Sequence, residues 1–342
     1  MTASSLSSSS SSTLPSISNL SHLTTQNEDP SSSQLSLNNN NNLLTSILTK
    51  TIPKLNSNCH KGSSGRIVIL GGSMKYTGAP YYTAMSALRV GCDLVTILCA
   101  NEAMVPLKSY SPELMVEGVY SAKEFDDLLS STSLVGTEEE QQQEVRDRGK
   151  QFDENNIIIE EKVNRMVQKV NENLDKKHVL IIGPGLGRCP IVLKATSLII
   201  QNAMKKHINI VLDADALYLL SLSENHNMFM DYYYDNNDDI DNSNDRVAVT
   251  TTKSRIVLTP NMMEYKRLVD SMGMGSEDQL KKKLQGVTVI RKGHEDIIEY
   301  IPKTHQQKQD DCEDNNNNTI EIRSRMICNE RGGLKRSGGL GM

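Results

Sequence analysis

The sequence predicts an α/β fold, with a doubly wound, mainly parallel sheet and helices on both faces. Three observations predict it. Short β-branched runs recur along the chain, and each stops at Gly, Asp, Pro or Asn. Segments with a helical spacing of apolar residues lie between them. Strand and helix therefore alternate, which is the pattern of a parallel sheet covered on both sides.

The elements follow in chain order. Residues 1–42 are rich in Ser, Thr and Asn and bury too little apolar surface to offset chain entropy, so a disordered tail is expected. The folded domain is expected over 43–342. "LLTSILTKTIPKL" opens it as a short amphipathic helix, and "GRIVILGGS" is a buried strand, Arg66 to Leu70, running into a Gly-Gly turn. "GAPYYTAMSALRVGCD" reads as a helix with small residues on one face, and "LVTILCA" as the next buried strand. Further strands are read in "HVLIIGPGLG", "INIVLDADAL", "RIVLTPNMMEY" and "GVTVIRKGHED", with a helix in "CPIVLKATSLIIQNAMKK". Polar stretches near 130–156, 222–247 and 303–320 are expected as surface-loop expansions, because long polar loops are tolerated outside a fold.

Composition narrows the partners. The 342 residues carry a net charge of -5 and no basic stripe, which argues against nucleic acid. No apolar run is long enough to cross a bilayer, so no membrane partner is expected. The first 49 residues contain no Lys or Arg, unlike a secretory signal or a mitochondrial presequence. The six cysteines form no CxxC pair and have no zinc-finger spacing with His. They are expected as reduced thiols of a cytoplasmic protein.

In a doubly wound sheet, ligands bind beyond the carboxyl ends of the strands. "IIGPGLGR" places three glycines after a strand, either as a tight strand–helix turn or as backbone that approaches a ligand closely. Its GxGxG spacing, far in sequence from the first strand, makes a dinucleotide fingerprint weak. In "VLDADAL", Asp213 and Asp215 either support a cation or cap the next helix. In "VLTPNMMEYKRL", Pro260 holds the exit extended, and Asn261 with Glu264 forms a capping box or faces a polar ligand or magnesium-bound water. Lys292 in "IRKGHED" either meets a phosphate or is an ordinary surface lysine. "NERGGLKRSGGLGM" reads as an anion-binding nest of glycines around Lys335 and Arg336, or as a low-complexity tail.

Taken together, "GRIVILGGSMKYTGAPYYTAMSALRVGCDLVT", "KSYSPELMV", "HVLIIGPGLGR", "VLDADAL", "LTPNMMEYKRL", "VIRKG" and the final glycine loop resemble the ATP-dependent NAD(P)H-hydrate dehydratases. They occur in that family's order over about residues 43 to 342. The resemblance implies a ribokinase-like fold and a repair reaction. ATP phosphorylates the C6 hydroxyl of the S epimer of hydrated NADH or NADPH, and loss of phosphate restores the ring double bond. It implies that Gly185 touches the hydrate, as does the stretch Asn261, Met262, Met263, Glu264, Tyr265, Lys266 and Arg267. Lys292, Gly293, His294, Glu295 and Asp296 would contact ATP. So would the loop of Gly332, Gly333, Leu334, Lys335, Arg336, Ser337, Gly338, Gly339, Leu340 and Gly341. Mg2+ would bridge phosphate oxygens, with no protein ligand assigned to it. Relatives of this fold often assemble, so an oligomer is compatible with the resemblance.

The family loop reads Gly-Gly-x-Gly-Asp, opens a helix and supplies the Asp as general base. Here "GGLG" is followed by Met342, whose thioether cannot take that proton. The expectation is a chain lacking the catalytic carboxylate and the C-terminal helices that cover the sheet, with little or no dehydratase activity and poor stability. Two alternatives remain. One is another ribokinase-like small-molecule kinase. The other is a non-catalytic nucleotide-binding protein, which would bind ATP without turnover.

Overall fold

The computed structural model describes residues 60–132, 143–230, 255–302 and 320–325. The chain divides into two units, Met1–Cys59 and His60–Met342, and the first lies outside the described residues. The expected tail and the opening helix fall there.

The second unit is built on a nine-stranded sheet of order β3-β2-β1-β4-β5-β6-β7-β8-β9. Its strands are β1 (Arg66–Leu70), β2 (Leu94–Ala100), β3 (Met115–Tyr120), β4 (Val179–Ile182), β5 (Asn209–Leu212), β6 (Ile256–Leu258), β7 (Val287–Arg291), β8 (Glu295–Tyr300) and β9 (Ile320–Arg325). β1 to β7 are parallel, and β8 and β9 add an antiparallel edge. Consecutive residues of a strand point to opposite faces, yet Val68, Ile69 and Leu70 are all buried. Both faces of β1 are therefore covered, as expected of a doubly wound sheet.

The helices are α1 (Gly78–Val90), α2 (Asn101–Tyr110), α3 (Ala122–Thr132), α4 (Gln143–Asn173), α5 (Pro190–Lys205), α6 (Asp215–Leu220), α7 (Met262–Ser271) and α8 (Glu277–Lys283). α1 stops at Gly91, whose φ of 113° and N–H bonds to the last-turn carbonyls form a left-handed cap. α5 starts with Pro190 at its first position and buries Ile191, Val192, Ala195, Ile199 and Ala203, an i, i+4 stripe against the sheet. α4 buries Val163, Met166 and Val170 at a spacing of three and then four residues, one face of the helix. α3 is capped from a neighbouring helix. Ala122 and Lys123 N–H donate to the Glu102 carboxylate at 3.0 and 3.1 Å, and Ser121 Oγ donates to it at 2.9 Å. Burial raises the Glu102 pKa, but these bonds outweigh it and hold the carboxyl below its usual range.

Two polar stretches differ from simple loops. α4 begins inside 130–156, because a Glu-, Gln- and Arg-rich run with no Pro carries good helix propensity. At the start of 222–247 a 3₁₀ turn spans Ser223–Asn225, and Met228 and Phe229 are buried, so this part belongs to the core. Residues 133–142, 231–254 and 303–319 lie outside the described residues. No described helix is long and apolar enough to cross a membrane.

Candidate active site

The strand order places the site. β1 pairs with β4 on one side and β2 on the other, so the direction of winding reverses between β1 and β4. A crevice opens there beyond the carboxyl ends of the strands. It is a cleft of ≈ 1050 Å³ lined by the loop Ser73–Ala79 after β1, by Gly185–Cys189 after β4, and by Tyr120, Asp126 and Asp215. The glycine loop, remote from the first strand in sequence, is thus its direct neighbour in space.

The tight-turn reading of that loop is realised. Gly183 is structural: its φ is 116°, and a Cβ there would lie 1.8 Å from the Asp213 carbonyl oxygen. Gly185 is in the cleft wall at φ 63°, where a Cβ would sit 3.0 Å from Tyr76 Cβ. Gly72 N–H donates to the Pro184 carbonyl at 3.1 Å and joins the two loops.

The acidic pair after β5 does not cap the next helix, and each aspartate instead holds a side-chain cation. Asp213 Oδ1 accepts from Thr259 Oγ1 at 2.8 Å and from Lys292 Nζ at 2.7 Å. Asp215 accepts from Gly187 N–H at 2.9 Å and from Arg188 Nε at 3.1 Å. Neither caps α6, whose first turn has no side-chain cap bond. Among the described residues no group of three His, Cys, Asp or Glu side chains could hold a metal ion. Between the two aspartates, Ala214 has φ 48° and ψ -112°, a strained conformation for a residue with a Cβ.

After β6, the capping box is present. Glu264 N–H donates to Asn261 Oδ1, and Asn261 N–H donates to Glu264 Oε2, each at 2.9 Å. The rest of that stretch diverges around α7. Met262 and Met263 are 77% and 68% exposed, while Tyr265 is buried with the Arg291 guanidinium 4.7 Å from its ring centroid. Burial pushes the Tyr265 phenol up to about 12. Lys266 is exposed, and Arg267 lies 5.9 Å from the Tyr218 ring.

After β7, Lys292 N–H donates to the Pro260 carbonyl at 2.8 Å, and Asn261 and Lys292 form a parallel bridge. Lys292–His294 is the turn from β7 into β8, tightened by Gly293 N–H on Asp296 Oδ1 of β8 at 3.1 Å. Lys292 is neither a lone surface lysine nor an unpaired cation. The sites after β4, β5, β6 and β7 therefore share one edge of the sheet, joined through Asp213 and Asp215. Gly332–Gly341 and Met342 lie outside the described residues.

The cleft holds no activated thiol. Burial pushes the Cys189 thiol up, so it stays protonated near neutral pH. Cys92, Cys99 and Cys189 are free, and the other three cysteines lie outside the described residues. Sequence reasoning assigned no role to Arg188 and overlooked Tyr218. Arg188 was visible as the last letter of "GPGLGR", whereas nothing marked Tyr218.

The profile of the NAD(P)H-hydrate dehydratase family matches residues 67–311. An ATP-dependent (S)-NAD(P)H-hydrate dehydratase of Arabidopsis thaliana is 34% identical over 262 residues, covering 74% of this chain and 59% of the relative. One of Entamoeba histolytica is 33% identical over 254 residues, covering 73% and 63%. The chain thus spans about three fifths of the length of these curated relatives. Among solved structures, a ribokinase-like superfamily protein from Enterococcus faecalis is similar with a TM-score of 0.44 at 20% identity, covering 74% of this chain and 66% of its own.

Proposed function

The chain belongs to the NAD(P)H-hydrate dehydratase family, and on that premise we propose that it serves the ATP-dependent dehydration of the S epimer of hydrated NADH and NADPH. The observation that carries this is the ≈ 1050 Å³ cleft at the β1/β4 crevice, with Gly185 in its wall. It has room for a nucleotide-sized ligand, and its glycine backbone lets a ring approach closely.

In this proposal Gly185 and the stretch Asn261–Arg267 bind the hydrate, and Lys292–Asp296 with Gly332–Gly341 bind ATP. ATP supplies the phosphoryl group that turns the C6 hydroxyl into a good leaving group. The protein's own residues bind and orient the two ligands on one sheet edge. Asp213 holds Lys292 at the end of β7, where its ammonium can exchange a carboxylate for a phosphate. The described residues do not fit a protein-held magnesium ion, because Asp213 and Asp215 already accept hydrogen bonds from Thr259, Lys292, Gly187 and Arg188. Magnesium would enter as the counterion of ATP.

The test is to titrate the purified chain with the S hydrate of NADPH, with the R hydrate and NADPH as controls. ATP is then added, and ADP release is followed beside the return of reduced-nicotinamide absorbance. Selective binding of the S hydrate is the expected result, and coupled turnover would overturn the expectation of little or no activity drawn from "GGLGM". Binding of hydrate and ATP without turnover supports the non-catalytic nucleotide-binding alternative. Failure to prefer the S hydrate sinks the proposal.

A further inference from the structure

One ring carries two cations. The Arg188 guanidinium carbon lies 4.3 Å from the Tyr218 ring centroid, and that of Arg267 lies 5.9 Å from the same centroid. Arg188 comes from the loop after β4 and lines the cleft, Tyr218 comes from α6 and Arg267 from α7. Three separate elements thus converge beside the cleft mouth. Two guanidiniums against a single ring repel each other, and among the described residues one of the two has a carboxylate partner. Asp215 Oδ1 takes Arg188 Nε at 3.1 Å, and its Oδ2 is held by Gly187 N–H at 2.9 Å. Among the described residues Arg267 has no carboxylate partner. The pair with Asp215 therefore keeps one net positive charge, and an anion would relieve the repulsion. Among the cleft-lining residues the formal charges of Lys75 and Asp126 cancel, and Lys292 and Asp213 form an ion pair of their own.

We propose that Arg188 and Arg267, seated on Tyr218, form a phosphate-ester subsite at the cleft mouth. It takes a phosphate of the dinucleotide whose nicotinamide end occupies the cleft, and in that respect rests on the function proposed above. The chemistry suits the geometry. A guanidinium held over an aromatic ring keeps a planar fork of N–H groups that matches phosphate oxygens in pairs. Asp215 takes Arg188 through Nε, and the Arg188 side chain is 52% exposed. The phosphate has two sources in this substrate, the diphosphate bridge and the 2′-phosphate of the NADP form.

The intact chain is titrated by calorimetry with inorganic pyrophosphate. Arg188→Gln and Arg267→Gln are each expected to weaken binding by about tenfold or more, as for a lost charge-assisted hydrogen bond. Arg188→Lys keeps the charge but loses the planar donor fork, and is expected to weaken it too. Tyr218→Phe retains the ring and is expected to bind normally. Thermal melts confirm that the variants fold. Pyrophosphate binding that is lost in Lys292→Met but kept in both Gln variants overturns the proposal, and so does no binding by the wild-type chain. Titration with the two hydrates then separates the sources. A loss confined to the NADPH hydrate assigns the 2′-phosphate, and an equal loss for both assigns the diphosphate bridge. If pyrophosphate binding needs both arginines while neither hydrate binds, the subsite stands and the hydrate function fails.

Discussion

Lys292 Nζ lies 2.7 Å from Asp213 Oδ1, tying the end of β7 to the end of β5 across β6. The same oxygen takes Thr259 Oγ1 at 2.8 Å, so a single carboxylate oxygen gathers three strand ends. Asp213→Ala removes both bonds and leaves Lys292 without its partner. Because the pair is partly exposed, the expected loss is only about 1 kcal/mol in urea unfolding. A double-mutant cycle with Lys292→Ala should give a coupling of about 0.5 kcal/mol or more. Strict additivity would show that the contact contributes nothing.

Ala214 stands between the two aspartates at φ 48°. Ala214→Gly is expected to stabilise the fold by about 1 kcal/mol, contrary to the usual cost of Gly, because it releases backbone strain. A lower denaturation midpoint for the Gly variant would refute this.

Gly183 and Gly91 have nearly the same φ, 116° and 113°, in different surroundings. A Cβ on Gly183 would lie 1.8 Å from the Asp213 carbonyl oxygen, whereas on Gly91 it would meet nothing within 4 Å. Gly91→Ala should cost about 1 kcal/mol through φ alone, and Gly183→Ala about 3 kcal/mol or more. Equal losses in chemical denaturation would mean that the close approach is not real.

Glu102 accepts from Ala122, Lys123 and Ser121, and these bonds hold its carboxyl below the usual range despite burial. A depressed folded-state pKa stabilises above the unfolded value and ceases to do so as pH falls through the folded one. Wild type should therefore exceed Glu102→Gln in stability near neutral pH, with the gap closing below about pH 4. Stability curves for the two proteins between neutral and acid pH check this, and parallel curves would contradict it.

Much of the sheet was legible because its inner strands are unbroken apolar runs that end at Gly, Asp or Pro. β3 was not among the strands read, because "MVEGVY" is interrupted by Glu117 and Gly118 and has exposed positions. The glycine loop looked displaced only because sequence distance hides the β1–β4 pairing. The Asp213–Lys292 bond joins residues 79 apart, a relation that no local motif encodes. The capping box at Asn261 was legible, being formed within one turn of helix.

The β1–β4 ladder also has a kinetic consequence. β1 to β3 are contiguous in sequence, and so are β4 to β9, so this ladder is the seam between two successive halves of the chain. During synthesis the first half can assemble from neighbouring segments before β4 exists. The cleft, with one wall from each half, can form only when the seam closes. A fluorescent ligand seated there would time that closure on a translating ribosome, marking the moment at which the halves become one cooperative body.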